Sequence, residues 1–140
     1  MSQITVLQAV SDASMEIGIT QVQLSQALGS ADEDVAQMVS LLNTVADEIL
    51  LEEPYEEILG DGHWLANADG TERYTRPKQD SDYILFDGRV AINGLKYRFL
   101  ASKGLEYGEQ LRDFTSRLNR IAVRANQRVL DLNADESVVQ

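Results

Sequence analysis

Apolar positions recur at spacings of three and four in four stretches of the chain, and each predicts a helix. In Thr5 to Ile17, the residues Val6, Val10, Ala13 and Ile17 make one stripe, and Gly18 supplies a stop. The second stretch runs from about Ala31 to Glu52, with Val35, Met38, Leu42, Val45 and Ile49 on one face. Ser30-Ala31-Asp32-Glu33 reads as a capping box ahead of it, the Ser30 hydroxyl accepting from the Glu33 amide while Glu33 reaches back. Asp32, Glu33 and Asp34 suit the positive end of the helix dipole, and Pro54 ends the run. Val90 to Lys103 carries two stripes, Ile92–Leu95–Phe99 and Val90–Gly94–Tyr97–Ala101, which predicts a central helix buried on more than one face. From Leu105 to about Val129, the positions Tyr107, Leu111, Phe114, Leu118, Ile121, Ala125 and Val129, with Leu132 beyond, keep a near-perfect four-three alternation. This is the longest predicted helix.

Between the second and third helices the pattern changes. Gly60, Gly62, Gly70, Pro77 and Gly88 punctuate it, with several Asp and Asn. His63-Trp64-Leu65-Ala66 and Glu72-Arg73-Tyr74-Thr75 flank the turn-rich Asn67-Ala68-Asp69-Gly70, which predicts a β-hairpin. The segment Gly60 to Ser81 has few apolar residues, so it is expected to be mobile until partners order it, with Trp64 as its large apolar anchor. Trp64 and Tyr74 are the candidate contacts to a neighbouring protein. Tyr83-Ile84-Leu85-Phe86 reads as a short strand or a linker packing on the helices. Ile19 to Leu28 and Tyr55 to Leu59 amount to a turn at most, and residues 130–140 read as an acidic tail. The expected fold is mainly α: one domain, a bundle of about four helices with a small hairpin insertion and an extended C-terminal tail.

Charge sharpens this picture. The net charge of −11 is unevenly spread. Residues 1–72 contain no Lys or Arg and fourteen acidic residues, while residues 73–140 hold all twelve basic residues against nine acidic ones, a net of +3. An acidic half repels nucleic acid, and opposite charge at two ends suits head-to-tail contact between copies. The competing reading is a solvated acidic face. There is no cysteine, so disulfides and thiolate chemistry are excluded. The N-terminus has no basic region followed by an apolar run, and no apolar stretch approaches a membrane span, so a soluble, unprocessed chain is expected.

Catalytic signals are sparse. His63 is the single histidine and falls in the hairpin. Gly60-Asp61-Gly62 is too short for a phosphate loop, and no Walker lysine follows it. Asp80, Asp82 and Asp87 crowd one loop without calcium-site spacing. Asp12 and Glu16 lie one helical turn apart, as surface carboxylates commonly do. No catalytic, cofactor-binding or metal-binding residue is expected. One constellation stands out instead. Arg117, Arg120, Arg124 and Arg128 step by three and four, about 100° round from the apolar face of the last helix. Three readings remain open for them: a solvated face carrying an Asp113–Arg117 pair, a DNA contact, or a surface for acidic groups of another subunit.

Two segments carry a resemblance. Ala31-Asp32-Glu33-Asp34-Val35 through Leu41-Leu42-Asn43-Thr44-Val45-Ala46-Asp47-Glu48-Ile49-Leu50 is similar to the long second helix of the head–tail adaptor proteins of tailed bacteriophages. Asp80-Ser81-Asp82-Tyr83-Ile84-Leu85-Phe86-Asp87-Gly88, followed by Leu95-Lys96-Tyr97-Arg98-Phe99-Leu100-Ala101-Ser102-Lys103-Gly104-Leu105-Glu106-Tyr107, resembles that family's aspartate loop, aromatic–basic helix and entry to the last long helix. The two cover roughly half the chain. Longer members carry an extended β-rich insertion where only Gly60 to Asp87 is available here. The resemblance implies a non-catalytic virion protein of the neck, made in the host cytoplasm. It implies a homo-oligomeric ring, commonly of twelve copies, bound to the portal and to a tail or tail-terminator (stopper) protein. DNA would pass through an acidic lumen without sequence-specific binding, and no membrane would be involved. It also places the C-terminal segment on the portal, so the interface candidates are Arg117, Arg120, Arg124 and Arg128 with Leu130, Leu132, Val138 and Val139. The other class the residues allow is a small acidic regulatory or protein-binding module of helical type.

Overall fold

Side chains at the helix starts decide where each element begins. In the computed structural model, which describes residues 3–51 and 62–139 with side chains described through Val123, helix α1 spans Val6–Glu16. Thr5 caps it. The Thr5 hydroxyl accepts from the Gln8 amide at 3.1 Å and the Gln8 side chain accepts from the Thr5 amide at 2.9 Å, a reciprocal capping box. Its C-terminus closes as expected at Gly18, whose φ is 81°. The amides of Gly18 and Ile19 donate to the carbonyls of Met15 and Ser14, which uses up two of the helix's free carbonyls.

Helix α2 spans Glu33–Leu50. Its cap corrects the sequence expectation. Asp32, not Ser30, is the N-cap, its carboxylate accepting from the amides of Asp34 and Val35. Ser30 instead accepts from the Asp32 amide at 3.2 Å. A carboxylate at the helix start also gains from the dipole, which a hydroxyl does not. The stripe Val35, Met38, Leu42, Val45 and Ile49 is buried as the period predicts. Tyr55 to Leu59, and the Pro54 stop, lie outside the described residues.

The hairpin forms as β1 (Leu65–Ala66) and β2 (Arg73–Tyr74), paired antiparallel with Leu65 opposite Tyr74. Tyr83–Ile84 is β3, which pairs with the other edge of β1 to give the order β2-β1-β3. The segment just before α1 joins the edge: Thr5 bridges to Tyr83, and the Ile84 amide donates to the Ile4 carbonyl at 2.9 Å. The segment is poor in core residues, as expected: Asn67 to Ser81 are all exposed or half-buried, and the core contribution comes from Trp64 and its two neighbours. Trp64 is 2% exposed and packs against Phe86 with ring centroids 5.8 Å apart, and Leu65 and Ala66 are buried beside it. Trp64 therefore anchors its own subunit, although sequence placed it at a neighbour contact.

Helix α3, Gly88–Ser102, is the central element, in contact with α1, α2 and the last helix. Val90, Ile92, Leu95, Tyr97 and Phe99 are all buried, so the two-stripe reading holds. Gly94 marks its tightest approach: a Cβ there would lie 2.5 Å from Val45 Cγ1 and 3.0 Å from the Phe114 ring. Gly104, at φ 71°, ends α3 with the same pair of amide-to-carbonyl bonds seen after α1. Helix α4 begins at Gly108, three residues later than the sequence predicts, and continues to Val139 rather than ending at Val129. Phe114 and Leu118 reach the core, and Leu111 and Ile121 flank it. Among the described residues the fold is therefore a four-helix, mainly α bundle with one small three-stranded antiparallel sheet. No helix of the described residues is long and apolar enough to cross a membrane.

Candidate functional site

The three loop aspartates, read from sequence as a loose acidic cluster, each hold a different piece of backbone. Asp80 accepts from the amides of Ala27 and Leu28, which ties down the irregular stretch after α1. Asp82, 1% exposed, accepts from the amides of Lys78 and Gln79 and from the Tyr74 hydroxyl at 2.5 Å. Burial and that carboxylate push the Tyr74 hydroxyl up to about 12, so it remains a donor. Tyr74 is thus half-buried and engaged within its own loop, with Lys78 over its ring, although sequence placed it at a partner contact. Asp87 caps α3 through the Val90 amide at 3.1 Å. Among the described residues no group of acidic and histidine side chains is arranged to hold a metal ion.

Asp87 also leads to the arginines. Its carboxylate is 2% exposed and receives Arg117 Nε at 2.6 Å and Nη2 at 3.1 Å. A buried carboxylate is stable when a helix start and a guanidinium both serve it, and here both do. Arg117 is consequently a structural partner of α3, which corrects its place among the free interface arginines. No Asp113–Arg117 pair forms among the described residues, so the solvated-face reading loses that element. Arg120 is exposed on the same flank. The side chains of Arg124, Arg128, Leu130, Leu132, Val138 and Val139 lie outside the described residues.

Three carboxylates of the acidic half find cations supplied from late in the chain. Glu16 receives Arg89 at 2.5 Å and Lys96 at 2.9 Å, Glu48 receives Arg98 at 2.7 Å, and Asp34 lies 3.6 Å from Lys103. Glu48 also accepts from the Tyr97 hydroxyl. The carboxyl of Asp12 makes no ion pair among the described residues, and Glu16 is committed to α3.

The hydrogen bond from Arg89, reinforced by Lys96, holds the Glu16 carboxyl below its ordinary value, against a smaller opposing effect of burial. A lowered folded-state value means that the stabilisation is fully present above the unfolded carboxyl's range and is lost as pH falls through the depressed value. Glu16→Gln is therefore expected to remove part of the acid limb of stability. It should lower stability near neutral pH by about 1 kcal/mol, the order expected for a half-exposed pair. Thermal midpoints of the two proteins between neutral pH and pH 3 should converge as pH falls; parallel curves would contradict the assignment.

These pairings frame a groove of about 320 Å³ between α3 and α4. Arg89 and Asn93 line it from α3, and Arg112, Asp113, Ser116, Arg117 and Arg120 line it from α4. Arg89 and Arg117 are oriented from behind by Glu16 and Asp87. Arg112 and Arg120 are exposed and make no ion pair among the described residues. Sequence reasoning found Arg117 and Arg120 but missed Arg89, Asn93 and Arg112. The available signal was Arg89, Asn93 and Lys96 at i, i+4 and i+7, a polar stripe on a helix that is mostly apolar. Comparison with protein-family models, with curated proteins and with solved structures finds no match to this chain.

Proposed function

We propose that the protein is a head–tail adaptor of a tailed bacteriophage, a non-catalytic structural subunit. In this reading, copies of the chain form a ring of twelve between the portal and the tail, and DNA passes through the lumen without sequence-specific binding. The observation that carries it is the flank of α4, where Arg112 and Arg120 stand exposed and make no ion pair among the described residues, while Arg117 is anchored beneath them. Long helices with uncompensated guanidinium groups meet acidic surfaces well, and such pairs set register and encounter rate. Asp32, Glu33 and Asp47 are exposed on α2 and offer acidic groups on a neighbouring copy. One heterologous contact, repeated with a rotation that closes, builds a ring. The order of the acidic helix, aspartate loop, aromatic–basic helix and last long helix supports the same reading.

Arg120→Glu combined with Arg124→Glu tests it, beside a chain cut after Val129. Both proteins should keep native circular dichroism. Neither should join portal rings made from the same genome, as read by native mass spectrometry and negative-stain electron microscopy, and the wild-type contact should weaken with salt. Normal decoration of portals by the doubly reversed protein at low salt would return the stripe to a solvated face. A wild-type chain that stays monomeric with and without portal would favour the small helical binding module.

A further inference from the structure

Helix α4 outruns its partner. It turns back along α3, the element it mainly packs on, after the short connection at Gly104. Phe114 meets Tyr97, and Arg117 already reaches Asp87, the residue that caps the start of α3. At Arg117 the helix is therefore level with the beginning of α3. It continues for twenty-two more positions, to Val139, roughly 33 Å at a rise of about 1.5 Å per residue. Ile121 is the last of its described side chains to flank the core, and Val123 is 55% exposed. A single helix of such length is marginal in water unless it has a face to bury.

The register of this stretch supplies that face and a charge pattern beside it. Ala122, Ala125, Val129 and Leu132 continue the stripe of Leu118 and Ile121. On one flank of the stripe fall Arg124 and Arg128, then Asp131 and Asp135. The other flank, at Asn126, Leu130, Asn133 and Ser137, is uncharged. Within its own helix this order is unfavourable. Arg124 and Arg128 are like charges one turn apart, as are Asp131 and Asp135, and carboxylates near a helix C-terminus oppose the dipole.

A second helix reverses that balance only in one orientation. Parallel partners bring opposite flanks together, charged against uncharged, whereas antiparallel partners bring like flanks together. Arg124 and Asp135 are equidistant from the midpoint between Val129 and Leu130, and so are Arg128 and Asp131. We propose that the end of α4 pairs antiparallel with the same segment of a second copy, in the register that sets Arg124 level with Asp135 and Arg128 level with Asp131. The same register, to within one residue, sets Val129 level with Leu132. Glu136 interrupts the stripe and comes level with Ala125, a small neighbour beside Arg124. The contact is isologous and closes at two copies, so it is separate from the repeated contact of a ring.

Sedimentation velocity and native mass spectrometry of the full chain, without portal, read the pairing over a range of concentrations. A reversible dimer that weakens with salt is expected. Arg124→Glu with Arg128→Glu, and separately Asp131→Arg with Asp135→Arg, should each weaken self-pairing by about tenfold or more. Mixing the two variants should restore a one-to-one dimer. Orientation is read with single cysteines, since the chain has none of its own. Under mild oxidation, Asn126→Cys should cross-link to Asn133→Cys in preference to itself. The cysteine arm decides even if a charge variant fails to fold. A wild-type chain with no dimer at any concentration, charge variants that pair as the wild type does, or cysteine variants that each prefer themselves would overturn the proposal. Portal is absent from every arm, so failure here leaves the adaptor reading to its own portal test.

Discussion

Phe114→Asp is expected to abolish folding, and Leu118→Asp to leave at most a partly folded protein. Phe114 is 2% exposed and Leu118 is 5% exposed. Phe114 packs tilted against Tyr97 with centroids 5.2 Å apart, and its ring lies 3.0 Å from where a Cβ on Gly94 would stand. The substitution removes an aromatic ring and places a carboxylate among the buried side chains of α3 and α4. Truncating a buried phenylalanine alone costs about 3–5 kcal/mol, and the charge adds several more unless it is neutralised. A small domain has only about 5–15 kcal/mol to lose. Leu118 sits one turn further along, where the same argument holds with a smaller ring-packing loss. Circular dichroism and thermal melts of the soluble fraction test both. A soluble Phe114→Asp protein with an unchanged thermal midpoint would show that α4 does not pack through this stripe.

Replacing Gly94 by leucine is expected to destabilise by about 3 kcal/mol or more. Overpacking a core typically costs about 1–3 kcal/mol, and here the space is closed from two sides. A Cβ alone would meet Val45 Cγ1 at 2.5 Å and Phe114 Cε1 at 3.0 Å. Val45 is fully buried and β-branched, so it cannot swing aside cheaply. Gly94→Ala is the finer test. Alanine favours the helix by about 1 kcal/mol, yet the clash should outweigh that gain. Val45→Ala opens the space on one side, so Gly94→Ala should cost less in that background than in the wild type. A double-mutant cycle by urea denaturation measures the coupling. Additive effects of the two substitutions would mean that α2 and α3 do not meet at Gly94.

The elements were legible because their signals are local. A helix stripe depends on residues one or two turns apart, and a stop depends on a glycine that tolerates positive φ, as at Gly18 and Gly104. For the same reason the doubly apolar Val90 to Lys103 identified the central helix, and Asn67 to Gly70 identified the hairpin turn. Capping was less secure where neighbours compete: Ser30 and Asp32 both suit a cap, and the carboxylate that reaches two amides took it.

What the sequence by itself determined was therefore the mainly α class, the four apolar stripes and their order. The tertiary structure decided which charges meet. Arg117 pairs with Asp87 thirty positions away rather than with Asp113 on its own helix, and Glu16 draws Arg89 and Lys96 from across the bundle. Nothing in a period of 3.6 encodes such partners, because they depend on how separate helices lie against one another. The same limit hid the burial of Trp64, whose surroundings come from the Phe86 segment, and the arginine groove, whose two walls are nineteen to thirty-one positions apart in sequence. A surface position and a site differ only in what the next helix brings to them.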